Sequence, residues 1–166
     1  MKKFFAVALF SLVLNVLPLY AQENSELFRI ERNKNSNIVR YDADMSGGAI
    51  DSKNPVDAYW VLYAAKGQRA ELSSFDKKAY GYKVDYNDGG YYDLTLKAVP
   101  DRNIKIVTAN GEPKAEILID KKEAYLSKVY VFAEDGFLGI PRVAYYTLYG
   151  TDINSGEKIS EKIDVK

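Results

Sequence analysis

Residues 82–99 read YKVDYNDGGYYDLTLKAV, and this stretch carries the clearest fold signal in the chain. Within the run Tyr91–Val99, apolar and polar residues alternate, which is the pattern of a strand with one face in a core and one in water. The preceding Asn87–Gly90 segment consists of turn-forming residues, and Tyr82–Tyr86 is a shorter run rich in tyrosine. The stretch therefore predicts a β-hairpin with a well-specified register.

Similar runs rich in Tyr, Val, Ile and Leu recur on both sides of this hairpin, separated by Gly, Asn, Asp and Pro. They predict further strands at Leu27–Glu31, Ile38–Asp42, Val56–Ala64, Ile104–Thr108, Ala115–Ile119, Ala124–Phe132, Val143–Tyr149 and Lys158–Val165. The Val56–Ala64 run is apolar on both faces, which favours a strand inside the sheet. Only Leu72–Ala79 has apolar residues at helical spacing, with Ser73 or Ser74 as its N-cap.

These elements predict an all-β fold of about ten mostly antiparallel strands in a barrel-like or sandwich domain, with one short helix near 72–79. A closed or half-closed barrel is favoured because closure removes exposed strand edges. No internal repeat or linker interrupts the sequence after residue 21. Residues 22–166 are therefore predicted to form a single β-rich domain.

The first 21 residues have the parts of a secretory signal peptide. Lys2 and Lys3 provide a positive start, and Phe4–Leu14 is an apolar run of roughly ten residues, too short to cross a bilayer. The small Ala21 is followed by polar residues and marks a cleavage site. We therefore predict a signal peptide at 1–21, a mature chain that starts at Gln22 and has no transmembrane segment, and a periplasmic or secreted location.

Composition excludes several classes of chemistry. The chain has neither Cys nor His, so disulfides, the common zinc sites, the Ser-His-Asp triad and the Cys-His dyad are excluded. An oxygen-rich run at Asp42–Gly47 begins like a calcium loop, but Lys53 stands where such a loop needs its bidentate acid. We predict no metal site and no cofactor. Because 23 basic and 23 acidic residues balance, we predict no nucleic-acid partner either.

The best candidate for a ligand site is the basic, amide-rich stretch that joins the first two predicted strands. Its side chains could converge on a carboxylate, a phosphate or a sugar, although turn chemistry alone also explains its composition. Aromatic residues with a polar tip could line an adjoining groove. The predicted ligand-binding residues are Arg32, Asn33, Lys34, Asn37, Arg40, Tyr59, Trp60 and Tyr80. Glu161 shares a face with apolar residues, and a rim position or an ion pair would explain it.

A spaced set of motifs resembles an uncharacterised family of exported bacterial proteins that is classed as a domain of unknown function. The set consists of IERNKNSNIV at 30–39, NPVDAYW at 54–60, AYG at 79–81, PRVAYY at 141–146 and YG at 149–150. The resemblance implies an exported domain without an assigned activity. It directs attention to Arg32, Asn33, Asn37, Pro55, Trp60, Tyr80 and Gly81.

Three functional hypotheses follow. The leading one is an exported, non-catalytic β-rich module that binds a small ligand or an envelope component through the Arg32–Asn37 stretch and nearby aromatic residues. An alternative is a hydrolase of envelope or extracellular polymers that depends on two carboxylates, which must lie roughly 5–10 Å apart. The other alternative is a structural envelope protein that binds another protein, for which an unpaired strand edge would provide a surface.

Overall fold

The computed structural model describes residues 25–136 and 141–165. The predicted signal peptide and the predicted mature start at Gln22 lie outside the described residues. Among the described residues, no helix is long and apolar enough to cross a membrane.

Thirteen strands make up most of the described chain, and the all-β prediction is confirmed. Their bounds are Ser25–Arg32 (β1), Asn35–Ala43 (β2), Met45–Ser46 (β3), Ala49–Ile50 (β4), Val56–Leu62 (β5), Gln68–Glu71 (β6), Tyr82–Asn87 (β7), Tyr91–Leu96 (β8), Asn103–Ala109 (β9), Glu112–Ile119 (β10), Lys122–Asp135 (β11), Pro141–Asp152 (β12) and Lys158–Asp164 (β13). In β8 buried and more exposed residues alternate along the whole strand, as the sequence pattern predicts.

The long strand β11 organises one curled sheet of eleven strands. One edge of β11 pairs with β12 along residues 124–135, and β12 pairs in turn with β13. The other edge is shared, because β10 pairs with residues 122–125 and β1 pairs with residues 128–131. The sheet therefore divides at β11 into an N-terminal wing, in the order β1-β2-β5-β6, and a middle wing, in the order β10-β9-β8-β7.

The two wings face each other across the core and give the sheet its half-barrel shape. Tyr41 of the N-terminal wing stacks on Phe28 at a centroid distance of 4.5 Å and meets the edge of Tyr82 from the middle wing at 6.1 Å. The Tyr82 hydroxyl donates to the backbone carbonyl of Val56 at 2.5 Å, which ties the two wings together. Phe28 and Tyr41 are completely buried, so the interior is packed rather than hollow.

The predicted helix is present but shorter than its sequence pattern suggests. It spans Asp76–Ala79, and the segment before it is a turn. The Ser73 hydroxyl accepts from the Asp76 backbone N–H at 3.1 Å, while the Asp76 carboxylate accepts from Ser73 N–H at 3.0 Å. Leu72 is buried, but Phe75 is 79% exposed. The apolar spacing of this segment therefore does not define a buried helical face.

Two short pairings are absent from the sequence prediction. β3 and β4 form a two-stranded hairpin around Gly47 and Gly48, in a region where the sequence predicts no strand. β6 pairs with β5 as the edge of the N-terminal wing. Strands of two to four residues are too short for a periodic pattern to reveal them. β5 lies between β2 and β6, so it is an internal strand next to an edge.

Two motif glycines lie where no side chain fits. A Cβ at Gly81 would collide with the backbone carbonyl of Lys77, and a Cβ at Gly150 would lie 2.6 Å from the Tyr125 carbonyl oxygen. Such distances are far below a normal van der Waals contact. The glycines of the AYG and YG motifs are therefore explained by close packing of the backbone.

Glu161 connects β13 to the middle wing through an ion pair with Arg102. An ion pair is one of the two explanations, with a rim position, for a glutamate that shares a strand face with apolar residues. Its carboxylate accepts from Arg102 Nη2 at 2.7 Å and from the Asp120 backbone N–H at 2.9 Å. Burial raises the pKa of Glu161, but these two donors outweigh that effect and hold the pKa below its ordinary value of 4.5. A carboxyl group with a lowered pKa stabilises the fold at neutral pH and loses that contribution as the pH falls through its folded-state pKa.

We therefore expect Glu161→Gln to lower the free energy of unfolding by at most about 1 kcal/mol at neutral pH, since the pair is partly exposed. The difference from the wild type should shrink as the pH falls below 4.5. Urea titrations at several pH values would measure it, with the exposed Glu157→Gln as the control. A difference that stays constant down to low pH would contradict the ionic role of Glu161.

Candidate functional site

The predicted binding loop between the first two strands is a tight turn. Only Asn33 and Lys34 lie outside the strands, because β2 already begins at Asn35. The Asn33 amide both donates to the Ala133 carbonyl and accepts from the Ala133 N–H, each at 2.9 Å, and Lys34 Nζ pairs with Asp135 at 2.7 Å. These two side chains therefore attach the hairpin to the end of β11. The turn is shorter than the stretch 32–37 that lies between the two predicted strands, because both strands extend into that stretch.

Arg32, Trp60 and Tyr80 form one cluster, hereafter the Arg32 cluster, although they are far apart in sequence. The Arg32 guanidinium lies 4.5 Å from the centre of the Trp60 ring and 5.5 Å from that of Tyr80, within the range of a cation–π contact. Arg32 Nη1 donates to the Tyr80 hydroxyl at 2.7 Å. Trp60 is 9% exposed and meets Tyr80 edge-on, so it supports the cluster from the core side.

The charge of Arg32 is not paired with a carboxylate among the described residues. In contrast, Arg29, Arg40, Arg69 and Arg102 each have a carboxylate oxygen within 4.0 Å. Arg32 Nε is buried without a hydrogen-bond partner. Arg32 therefore has an unused donor in a fixed position.

The surroundings of the Arg32 cluster shift the pKa values of Asp76 and Tyr80. Hydrogen bonds from Ser73 are the main reason that the pKa of Asp76 is lowered, and Trp60 and Arg32 contribute to the effect. Burial raises the pKa of Tyr80 and outweighs the opposing effect of Arg32. At neutral pH the cluster therefore contains a neutral phenol, a cationic guanidinium and a nearby carboxylate.

Asn37 lies on the strand that follows the turn. Its backbone N–H is held by the Asn35 side chain at 3.1 Å, and its Oδ1 atom is buried without a hydrogen-bond partner. Two buried polar atoms without partners, Arg32 Nε and Asn37 Oδ1, therefore belong to this one hairpin. An unpartnered buried polar atom costs roughly 1–3 kcal/mol, and such atoms are rare in folded proteins.

Arg40 and Tyr59 lie on the opposite, outer face of the N-terminal wing, where both contact Asp42. Arg40 Nε pairs with the Asp42 carboxylate at 2.6 Å, and the Tyr59 hydroxyl donates to it at 2.7 Å. Burial, together with the Asp42 carboxylate, raises the pKa of Tyr59 to about 12. The Arg69 guanidinium lies 4.0 Å from the centre of the Tyr59 ring and occupies one face of it. Tyr59 therefore has a structural partner on each side.

A groove of about 470 Å³ lies on this outer face, next to the hairpin. Its charged lining residues are Glu26, Arg29, Glu31 and Arg40. Arg32 borders the groove at the hairpin, although its guanidinium packs on Trp60 on the inner face. At the hairpin it is lined by Asn35 and Ser36, and its less polar part consists of Ile38, Val61, Tyr63 and Tyr130. The volume lies within the range of about 300–1,000 Å³ that is usual for small-molecule sites.

Neighbouring charges hold the groove's side chains in place. Arg29 donates to Glu31 at 2.8 Å and to Glu26 at 3.1 Å. Arg40 Nε also lies 3.4 Å from Glu26, and Lys128 Nζ lies 3.2 Å from Glu31. Burial raises the pKa of Glu31, but Arg29 and Lys128 outweigh it and lower the pKa overall.

The structure divides the predicted site residues into four groups. Arg32, Trp60 and Tyr80 form the Arg32 cluster, and Asn33 and Lys34 bind the end of β11. Arg40 and Tyr59 both contact Asp42 on the outer face, and Asn37 lies by itself on β2 with a buried amide oxygen.

Sequence reasoning missed Glu26, Arg29, Tyr63 and Tyr130 as groove residues and Asp42 as the partner of Arg40. Strand alternation could have revealed Tyr63, since it continues the outward series of Tyr59 and Val61. Tyr130 comes from β11, and only the fold shows that β11 lies beside β1.

Fold and site together define a β-rich half-barrel domain with a polar groove beside its first hairpin. Residues 28–162 match the family described as Domain of unknown function (DUF4833), and the chain belongs to this family. The resemblance to a domain of unknown function is thereby confirmed. No curated protein and no solved structure shows a significant match to the chain.

Proposed function

We propose that the protein is an exported, non-catalytic binding module that holds a small ligand or an envelope component in the groove beside the first hairpin. The observation that carries the proposal is the groove itself, whose arginine and glutamate side chains are held in place by ion pairs and stay partly exposed. Because these side chains are already ordered, a ligand that binds them would require little further ordering of the protein. The arginines would donate hydrogen bonds to such a ligand, and the glutamates would accept them.

The acid–base properties of the groove favour binding over hydrolysis. A carboxylate pair for glycoside hydrolysis needs one member whose pKa is raised, so that it can donate a proton. In this groove Glu31 has a lowered pKa, because Arg29 and Lys128 stabilise its ionised form. Glu26 is also held by an arginine, at 3.1 Å. This electrostatic setting supports a role in holding a ligand.

Thermal unfolding in the presence of a ligand panel tests the proposal. The panel contains acidic and neutral oligosaccharides, amino acids, short peptides, fatty acids and inorganic phosphate. A ligand at about a hundred times its dissociation constant adds roughly 2.7 kcal/mol of stability, which should raise the unfolding midpoint by several degrees. We expect Arg29→Ala, which removes a charged side chain from the groove, to abolish or strongly reduce that shift and to remain folded.

The matched control is Arg142→Ala, which removes the same charge from an exposed position. This variant should bind like the wild type. If Arg29→Ala keeps the full ligand shift, the site lies elsewhere in the protein. If no ligand shifts the midpoint of the wild type, a protein partner and a structural role in the envelope become the better explanation.

A further inference from the structure

We propose that β13 is the interface through which two copies of this chain associate, with the two β13 strands pairing antiparallel to form one continuous sheet. The inference is independent of the proposed function, because β13 contributes no residue to the groove. It is based on three properties of β13: a free edge, unused backbone groups that face this edge, and a self-complementary order of side chains.

β13 has the longest wholly free edge in the described part of the chain. Its seven residues pair with β12 without a bulge, and no described strand pairs with its other side. The other edges of the curled sheet are β6, with four residues, and β7, with six. β7 begins against the short helix, where Gly81 contacts the Lys77 carbonyl, so a second strand has less room there. A free edge of this length is a template for another strand.

The backbone of β13 directs unused hydrogen-bonding groups toward the free edge. Val165 N–H donates to the Ala144 carbonyl, and the Glu157 carbonyl accepts from Asp152 N–H, so the odd-numbered residues bond to β12. The backbone groups of successive residues in a strand point to opposite edges. The N–H and C=O groups of residues 158, 160, 162 and 164 therefore face away from β12, and the side chains of these residues are exposed. A second strand would satisfy these backbone donors and acceptors.

The sequence KISEKID at 158–164 is self-complementary in an antiparallel pairing centred on Glu161. In this register Lys158 lies opposite Asp164 of the partner subunit, and residues whose backbone groups face the free edge lie opposite one another. The Asp164 carboxylate is 79% exposed and lies 3.5 Å from Lys162 of its own chain, so it can accept a second cation. A shift of two residues in either direction would place two lysines opposite each other. Opposed like charges destabilise a strand pair, so charge selects the register centred on Glu161.

The inner face of β13 is compatible with this pairing. Ile159 and Ile163 are partly buried against the core, and in the paired sheet each would lie opposite the other residue of the second copy. Two copies of Glu161 would meet at the centre, but Arg102 and the Asp120 N–H already stabilise each carboxylate. Charged residues on an edge strand often prevent association. In β13 the charges at symmetric positions have opposite signs and therefore favour it.

Sedimentation of the wild-type protein over a range of concentrations tests the proposal. We expect a reversible equilibrium in which the dimer fraction rises from the micromolar to the millimolar range. Ser160→Pro should shift this equilibrium to the monomer, because it removes an N–H that faces the free edge and leaves the bonds to β12 intact. Ser160→Thr keeps that N–H and is the matched control, which should dimerise like the wild type.

Charge reversal tests the register. Lys158→Glu and Asp164→Lys should each weaken self-association about ten-fold, because each places like charges opposite each other at both ends of the interface. A mixture of the two variants should associate like the wild type, since every contact in the mixed dimer then joins opposite charges. Lys83→Glu reverses an exposed charge on the β7 edge and should leave self-association unchanged.

A wild-type protein that stays monomeric at every concentration up to the millimolar range would overturn the proposal. So would a dimer that Ser160→Pro and both charge reversals leave intact, because such a dimer uses another surface. If Ser160→Pro fails to fold, the two charge reversals and their mixture still decide the question. These measurements contain no ligand, so their outcome is separate from that of the proposed binding function.

Discussion

Trp60→Ala is expected to lower the free energy of unfolding by about 3–5 kcal/mol, the usual cost of truncating a large buried aromatic side chain. Trp60 is 9% exposed, contacts Tyr80 and forms the surface on which the Arg32 guanidinium lies. The loss is a large part of the roughly 5–15 kcal/mol that stabilises a typical domain. The midpoint of thermal unfolding should fall by about 10–20 °C.

Far-UV circular dichroism is the suitable probe, because Trp60 is the chain's single tryptophan and its replacement removes the usual fluorescence signal. The matched control is Phe75→Ala, which truncates an aromatic side chain that is 79% exposed. That variant should change stability by no more than about 0.5 kcal/mol. A loss below 1 kcal/mol for Trp60→Ala would show that the ring is not packed as described.

Arg40→Met is expected to cost about 3 kcal/mol, the second large effect. Asp42 is 1% exposed, and its carboxylate has Arg40 and Tyr59 as its close partners. Without Arg40 the buried charge would keep only the Tyr59 hydroxyl, and an uncompensated buried charge is strongly destabilising. We place the value at the lower end of the usual range because the Arg40 side chain is 31% exposed and solvent reaches the pair.

A variant that removes every polar member of this group tests the explanation. Combining Arg40→Met with Asp42→Leu and Tyr59→Phe leaves no buried charge and should restore stability to within about 1 kcal/mol of the wild type. Arg29→Met, which breaks partly exposed pairs on the same face, should cost less than about 1 kcal/mol in urea titrations. Equal losses for Arg40→Met and Arg29→Met would contradict a special dependence of Asp42 on Arg40.

These two predictions also clarify the roles of the predicted site residues. Trp60 holds Arg32 from within the core, and Arg40 both neutralises Asp42 and lines the groove. A binding defect in either variant is interpretable only after its stability has been measured. Arg29 and Tyr63 are the better residues with which to separate ligand binding from folding, since both line the groove and neither belongs to the buried core.

Much of the fold can be predicted from local sequence patterns. The alternation in 91–96, the turn residues between strands and the content of β-branched and aromatic residues identify the strands, because each pattern reports the surroundings of a few neighbouring residues. The absence of Cys and His limits the chemistry directly. The signal peptide stays a prediction, since it lies outside the described residues.

Long-range pairing is not visible in such patterns. The parallel pairing of β1 with β11 joins Arg29 to Lys128, and nothing in either strand specifies the other as its neighbour. That pairing brings Tyr130 beside the first hairpin and lets Asn33 bind the backbone of Ala133.

The candidate site depends on the same long-range closure. Local alternation predicts that successive residues of β2 and β5 point to opposite faces, and it could therefore separate Tyr59 from Trp60. It cannot show that Arg32 donates a hydrogen bond to Tyr80, which lies 48 residues further along the chain. Nor can it show that Arg40 neutralises the buried carboxylate of Asp42. The residue types and strand faces follow from the sequence, because they depend on neighbours along the chain. The unmatched charge of Arg32 follows from the folded structure, because it depends on which carboxylates the closing sheet brings near each cation.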